Sequence, residues 1–155
     1  KVIALLKKAR DDLGVPLAIL LDTKGPEVRI GKFSKPEITL KPKDRWELTK
    51  EEILGDERRA TLIPGSVIDR IPIGATILID NGYLSSKVVE KTKESLIVEI
   101  ELGGTIKPGR GVNVPNHPLH LPAITQQDVK DISFGCKEDI DMVAASFIRS
   151  ADHVI

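Results

Sequence analysis

Apolar residues recur at helical spacing over residues 1 to 13. Val2, Leu5, Leu6, Ala9 and Leu13 fall on one face, and Lys7, Lys8, Arg10, Asp11 and Asp12 on the other. Gly14 and Pro16 stop that helix. Leu17 to Leu21 follows, apolar at every position, as in a strand covered on both faces. A second run of this kind, Met142 to Phe147, lies more than a hundred residues later. Before it, Thr125 with Asp128 reads as the capping box of a helix whose apolar face carries Val129 and Ile132 and which Gly135 ends. Ser150 reads as the cap of a following helix. This order predicts two parallel strands of an α/β sheet, paired side by side.

Between the two runs the period changes to two. Val28 and Ile30, Ile38 and Leu40, and Trp46 and Leu48 mark short, half-exposed strands. Thr76–Ile79 leads through Asp80-Asn81-Gly82-Tyr83, a hairpin signal, into a strand over Leu84–Val89. Ser95–Leu102 is a further strand, with Leu96, Val98, Ile100 and Leu102 on one face. Gly103-Gly104 marks a turn, and Val112–Val114 a last short strand. Many short strands without a long helix predict a small closed barrel, because closure removes the edges they would otherwise expose. The charged run Lys50–Arg59 reads as a solvated loop or short helical turn. Pro115-Asn116-His117-Pro118 and Pro122 form a stiff linker back to the α/β part.

Composition narrows the function classes. The 155 residues carry 23 basic and 23 acidic side chains, so net charge points to no polyanion. Five aromatics are too few for base-stacking platforms, which argues against nucleic acid as a partner. The single cysteine, Cys136, excludes an internal disulfide, fits a reducing compartment and reads as an inert, half-buried residue at a helix end. No apolar run approaches the ~20 residues of a membrane span, so no membrane partner is expected. The chain opens without Met inside one helical pattern and stops inside another, as a piece of a longer protein would.

Candidate chemistry gathers at the end of the first apolar run, in Asp22-Thr23-Lys24-Gly25-Pro26-Glu27-Val28-Arg29. A carboxylate at a strand's carboxyl end is costly to desolvate unless it meets a cation or backbone amides. Asp22 and Thr23 therefore read either as a cation or phosphate site or as the anchor of a turn. Gly25-Pro26 is turn chemistry.

That octapeptide resembles the signature at which the lid domain of the pyruvate kinase family leaves its catalytic (β/α)8 barrel. Three further stretches agree in order. Asp80-Asn81-Gly82 is similar to the family's acidic hairpin. Gly103-Gly104 with Gly111-Val112-Asn113-Val114-Pro115 is similar to its Gly-Gly to Gly-Val-Asn-Leu-Pro segment. Leu121-Pro122-Ala123 through Asp141 to Arg149 follows the family where the chain re-enters the barrel. The resemblance implies a mixed α and β fold. Residues 1–25 and 116–155 would be two βα portions of a partial (β/α)8 TIM barrel, flanking an inserted small β-barrel lid at 26–115. It also implies a cytoplasmic, glycolytic phosphotransferase, a homotetramer that moves phosphoryl from phosphoenolpyruvate to ADP, giving pyruvate and ATP, with magnesium and potassium as cofactors.

Residue by residue, the resemblance makes Asp22 (side chain) and Thr23 (carbonyl) potassium ligands, an oxygen pair suited to a hard cation. Glu27 matches the position whose carboxylate accompanies potassium dependence. Arg29 and Arg110 would contact nucleotide phosphates. Arg110 stands where many members have Lys, and Asn81 where many have a second Asp. Either arginine can instead simply pair with a neighbouring carboxylate. Ser146, Phe147 and Arg149 lie at the second strand's end, facing the site or merely packing. No segment resembles the family's catalytic lysine, magnesium carboxylates or phosphoenolpyruvate-binding arginine. The chain is therefore expected to hold no catalytic residue and to be inactive alone. The alternative is a free-standing β-barrel ligand-binding module without catalysis.

Overall fold

A computed structural model of the chain describes residues 1–148 and residue 151. Arg149, Ser150 and the helix expected after it lie outside the described residues. The first helix is α1 (Val2–Leu13), closed by Gly14 in the left-handed conformation with φ 59°. The apolar run contributes a shorter strand than its pattern suggests, β1 (Leu20–Asp22). The chain then divides into two compact units, Lys1–Pro26 with Leu121–Ile155, and Glu27–His120.

In the second unit the strands are β2 (Val28–Ile30), β3 (Ile38–Leu40), β4 (Arg45–Thr49), β5 (Arg59–Ile63), β6 (Thr76–Ile79), β7 (Leu84–Lys91), β8 (Ser95–Leu102), β9 (Gly104–Ile106) and β10 (Gly111–Asn113). Seven of them close into a barrel in the order β10-β2-β5-β4-β8-β7-β6. The remaining two, β3 and β9, form their own antiparallel pair. β10 completes the circle, since Val112 faces Val28 on one side and Ile79 on the other. The alternation seen in the sequence is the inside–outside alternation of the barrel. Ile30, Trp46, Leu48, Leu62, Ile77, Ile79, Leu84, Leu96 and Val98 are fully buried, and the Trp46 indole N–H is satisfied by the Asp56 carbonyl at 2.9 Å.

Several expectations need correction here. Leu102 does not join the inward face and is exposed. Register shifts between Ser85 and Ser86, whose partners are Leu102 and Ile100, and that irregularity breaks the alternation. Of the two alternatives for the charged run, the loop holds up to Arg58, and Arg59 already belongs to β5. Within the loop the Asp56 carboxylate takes the Arg58 and Arg59 N–H groups. Gly103-Gly104 is more than a turn, because Gly104 starts β9 and lies under the Tyr83 ring, where a Cβ would collide. A 3-10 helix, Gly65–Arg70, buries Val67 and Ile68 and has no counterpart in the sequence reading. At the Asp-Asn-Gly hairpin three successive residues take positive φ, namely Asp80 (53°), Asn81 (57°) and Gly82 (89°).

The first unit is completed by α2 (Gln126–Lys137) and β11 (Met142–Ala144). β1 and β11 pair in parallel as expected, with Leu20 opposite Met142 and Asp22 opposite Ala144. Thr125 caps α2 in a complete capping box with Asp128. Gly135 does not end the helix. It is buried inside the last turns, where a Cβ would press on Ile140 and Leu21. Cys136 is exposed rather than half-buried. Neither apolar strand is covered, since Leu17, Leu20, Met142 and Val143 are all exposed and α1 buries no residue. Two strands and two helices offer too few layers to bury both faces of the sheet.

Burial of this kind separates the units energetically. Leu48→Ala, at a fully buried barrel position, is expected to destabilise the barrel by about 2–5 kcal/mol. Leu5→Ala, at an exposed position of α1, should change stability by no more than about 0.5 kcal/mol. Urea unfolding of the 155-residue chain, followed by Trp46 fluorescence, checks both.

Candidate functional site

In the first unit the site residues sit where β1 runs out. Thr23 is buried, its N–H bonded to the Ala144 carbonyl at 2.9 Å and its hydroxyl accepting the Ser146 N–H at 3.3 Å. Asp22 is exposed and accepts a short hydrogen bond from the Ser146 hydroxyl. Ser146 thus binds both residues, Asp22 through its hydroxyl and Thr23 through its N–H. Gly25, at φ 65°, lies so close to the Phe147 ring that a Cβ would overlap it.

Beneath this loop is Asp128, fully buried in the first turn of α2. Its Oδ2 accepts from the Thr125 N–H at 2.7 Å and the Thr125 hydroxyl at 2.6 Å, and its Oδ1 from the Gly25 N–H at 3.0 Å. Burial alone would push this carboxyl up. The bonds from Thr125, from Gly25 and from the nearby Lys24 N–H outweigh that and hold it below the usual range. The sequence marked Asp128 only as a capping residue. Its second role, reaching across to Gly25, has no local signature, because the two residues are far apart in the chain. A similar carboxylate, Asp141, takes the Ile19 N–H at 2.7 Å and the Arg10 guanidinium at 2.9 Å. It ties the start of β11 to β1 and α1.

In the second unit, Arg29 lies on β2 opposite Gly111 of β10. One guanidinium nitrogen donates to the Gly109 carbonyl at 2.9 Å and the other pairs with Glu27. Its Nε is buried with no hydrogen-bond partner among the described residues. Gly111 lies against the Glu27 carboxylate, which a Cβ there would push aside. Arg110, one residue earlier, pairs with Asp80 at 3.4 Å, and the Asp80 N–H bonds to the Gly111 carbonyl at 2.9 Å. The same stretch of backbone therefore organises both arginines. Each has one carboxylate neighbour, the pairing the sequence reading allowed as an alternative. Both pairs are part-exposed, with side chains 28–44% accessible, and such pairs contribute only about 0–1 kcal/mol. The guanidiniums are therefore available to a competing anion. Asn81 is exposed at the hairpin tip.

Among the described residues no group of three or more His, Cys, Asp and Glu could hold a metal ion. No helix among them is long and apolar enough to cross a membrane. The donor set at Asp22 and Thr23, a carboxylate and a backbone carbonyl, fits part of the shell of a hard cation.

Because Asp128 has a lowered folded pKa, its contribution to stability is present above the unfolded carboxylate value and lost as pH falls through the folded one. Asp128→Asn should therefore flatten the acid limb of the stability curve below the ordinary carboxylate range, about pH 4. Thermal melts followed by circular dichroism across that range check this.

Two comparisons of the sequence with known proteins agree. The family model described as pyruvate kinase, barrel domain, matches residues 1–155. A pyruvate kinase of Clostridium perfringens is 42% identical over 154 residues, covering 99% of this chain and 32% of that protein. One from Chlamydia muridarum is 39% identical over 155 residues, with the same two coverages. One from Geobacillus stearothermophilus is 39% identical over 155 residues, covering 26% of its length. The chain thus spans between about a quarter and a third of the length of these relatives. With a family model matched from end to end, this chain belongs to the pyruvate kinase family.

Proposed function

We propose that this chain supplies the nucleotide-clamping lid and part of the potassium site of a pyruvate kinase. In this reading the parent protein transfers phosphoryl from phosphoenolpyruvate to ADP, yielding pyruvate and ATP. Residues 26–115 form the lid. Residues 1–25 and 116–155 are βα portions of a (β/α)8 barrel whose other strands the rest of the parent provides. The exposed apolar faces of β1, β11 and α1 support that assignment, because they lack any covering layer of their own.

The observation that carries the proposal is the pair of half-exposed arginines built around Gly109–Gly111. Phosphoryl transfer asks little covalent work of a protein and much positioning and charge compensation. Arg29 and Arg110 are held by weak ion pairs that phosphate oxygens can replace. A guanidinium offers a planar fork to such oxygens, so Arg110 would bind phosphate by two parallel bonds where a lysine binds as a point charge. Asp22 and the Thr23 carbonyl would hold potassium, which supplies a fixed positive charge. Magnesium would enter with the nucleotide and through carboxylates elsewhere in the parent. The parent acts in the cytoplasm as a homotetramer. No catalytic residue is assigned to this chain.

A free-standing binding module is the competing reading, favoured by the complete core of the barrel unit. The two readings part on nucleotide binding in the full-length enzyme. Arg29→Ala and Arg110→Ala should each weaken ADP binding by about 10-fold or more in calorimetric titration, the equivalent of one charge-assisted hydrogen bond. Wild-type affinity in both variants would overturn the clamp. The 155 residues alone should form no pyruvate in a coupled assay.

A further inference from the structure

The cation reading assigns ligands but leaves open what aims them. Asp22 is a side chain and can turn, whereas the Thr23 carbonyl is fixed by its peptide plane. In a trans peptide the C=O of one residue and the N–H of the next point in opposite directions. The direction of the Thr23 carbonyl is therefore set by whatever holds the Lys24 N–H, and that of the Lys24 carbonyl by whatever holds the Gly25 N–H. The Gly25 N–H donates to the buried Asp128 carboxylate at 3.0 Å and the Thr23 N–H to the Ala144 carbonyl at 2.9 Å, so the peptide plane that carries the Thr23 carbonyl lies between two fixed ones.

We propose that Asp128 is a positioning residue for the cation site, steadying the peptide plane that carries the Thr23 carbonyl through its hold on the backbone at Gly25. This inference rests on the reading of Asp22 and Thr23 as cation ligands. Three further contacts make the arrangement stiff. The Thr23 N–H is tied to Ala144, its hydroxyl to the Ser146 N–H, and the Phe147 ring closes over Gly25. The other oxygen of the Asp128 carboxylate is held by the Thr125 N–H, a bond that survives side-chain substitution at Thr125, and by the Thr125 hydroxyl. Partners one layer behind a ligand typically change metal affinity about 10–100-fold when removed. A helix cap alone explains the Thr125 bonds, but not the use of the second carboxylate oxygen on a loop at the end of β1.

The test is made in the full-length enzyme. Potassium and thallous ion are the probes, bound cation is read by thallium-205 magnetic resonance, and potassium activation is followed in parallel. Asp128→Asn should raise the dissociation constant at least about 10-fold, leaving kcat at saturating potassium within about twofold. Thr125→Ala removes a capping hydroxyl but leaves the carboxylate on Gly25. It should lower Tm as Asp128→Asn does and change cation affinity less than about twofold. Wild-type affinity in Asp128→Asn, or an equal loss in Thr125→Ala, overturns the proposal. Asp22→Ala tells the two levels apart. If it loses the cation while Asp128→Asn does not, only the positioning role fails; if it keeps wild-type affinity, the cation reading and this inference fall together. Should Asp128→Asn not fold, Asp128→Glu, which keeps the charge but misplaces it, is titrated in the same way and must also lose affinity.

Discussion

The architecture depends on three residues, Gly111–Asn113. By pairing with β2 on one side and β6 on the other, β10 turns an open sheet into a barrel. Without that closure β2 and β6 would present free edges, and the side chains that fill the interior would face water. Closure also sets the chemistry. Gly111 lies opposite Arg29, its carbonyl takes the Asp80 N–H, and Arg110 precedes it. The strand that seals the core is the strand that gathers the candidate phosphate-binding groups, so the stability of the barrel and the geometry of its rim have a common origin.

The two units solve the burial problem differently. The barrel has its apolar residues inside and its polar rim half exposed. The unit containing α1, β1, α2 and β11 is inverted in character, with large apolar side chains in water while Asp128 and Thr23 are buried. A buried carboxylate is tolerable only with enough donors, and Asp128 has them from Thr125 and the loop after β1. Its order is therefore local and polar, concentrated around the strand end where function is proposed.

Much of this was legible in the sequence, for identifiable reasons. Period-two alternation over Thr76–Ile79 and Ser95–Ile100 reports burial directly, and the Asn-Gly turn reports positive φ. Helix α1 and the parallel pairing of β1 with β11 followed from periodicity and order. What stayed hidden depended on contacts distant along the chain. Arg59 reads as the end of a charged run, and the strand it opens, Arg59–Ile63, forms only because β2 and β4 lie on either side of it. Leu102 looked inward until a register shift turned it out. Ser146 and Asp128 carry no local mark of reaching Asp22 and Gly25. The family resemblance names Asp22, Thr23, Arg29 and Arg110 as candidates and gives Asp128 no part among them.

The claim that β10 seals a self-sufficient barrel, while the other unit lacks a core of its own, is open to one direct measurement. Native-state amide hydrogen exchange on the 155-residue chain reports local opening free energies strand by strand. The Val112 amide should exchange only with global opening of the barrel, together with those of β4 and β8. Amides of α1 and of the β1–β11 pair should exchange faster by orders of magnitude. Rapid exchange at β10, as from a fraying edge, or uniform protection across both units, would contradict it.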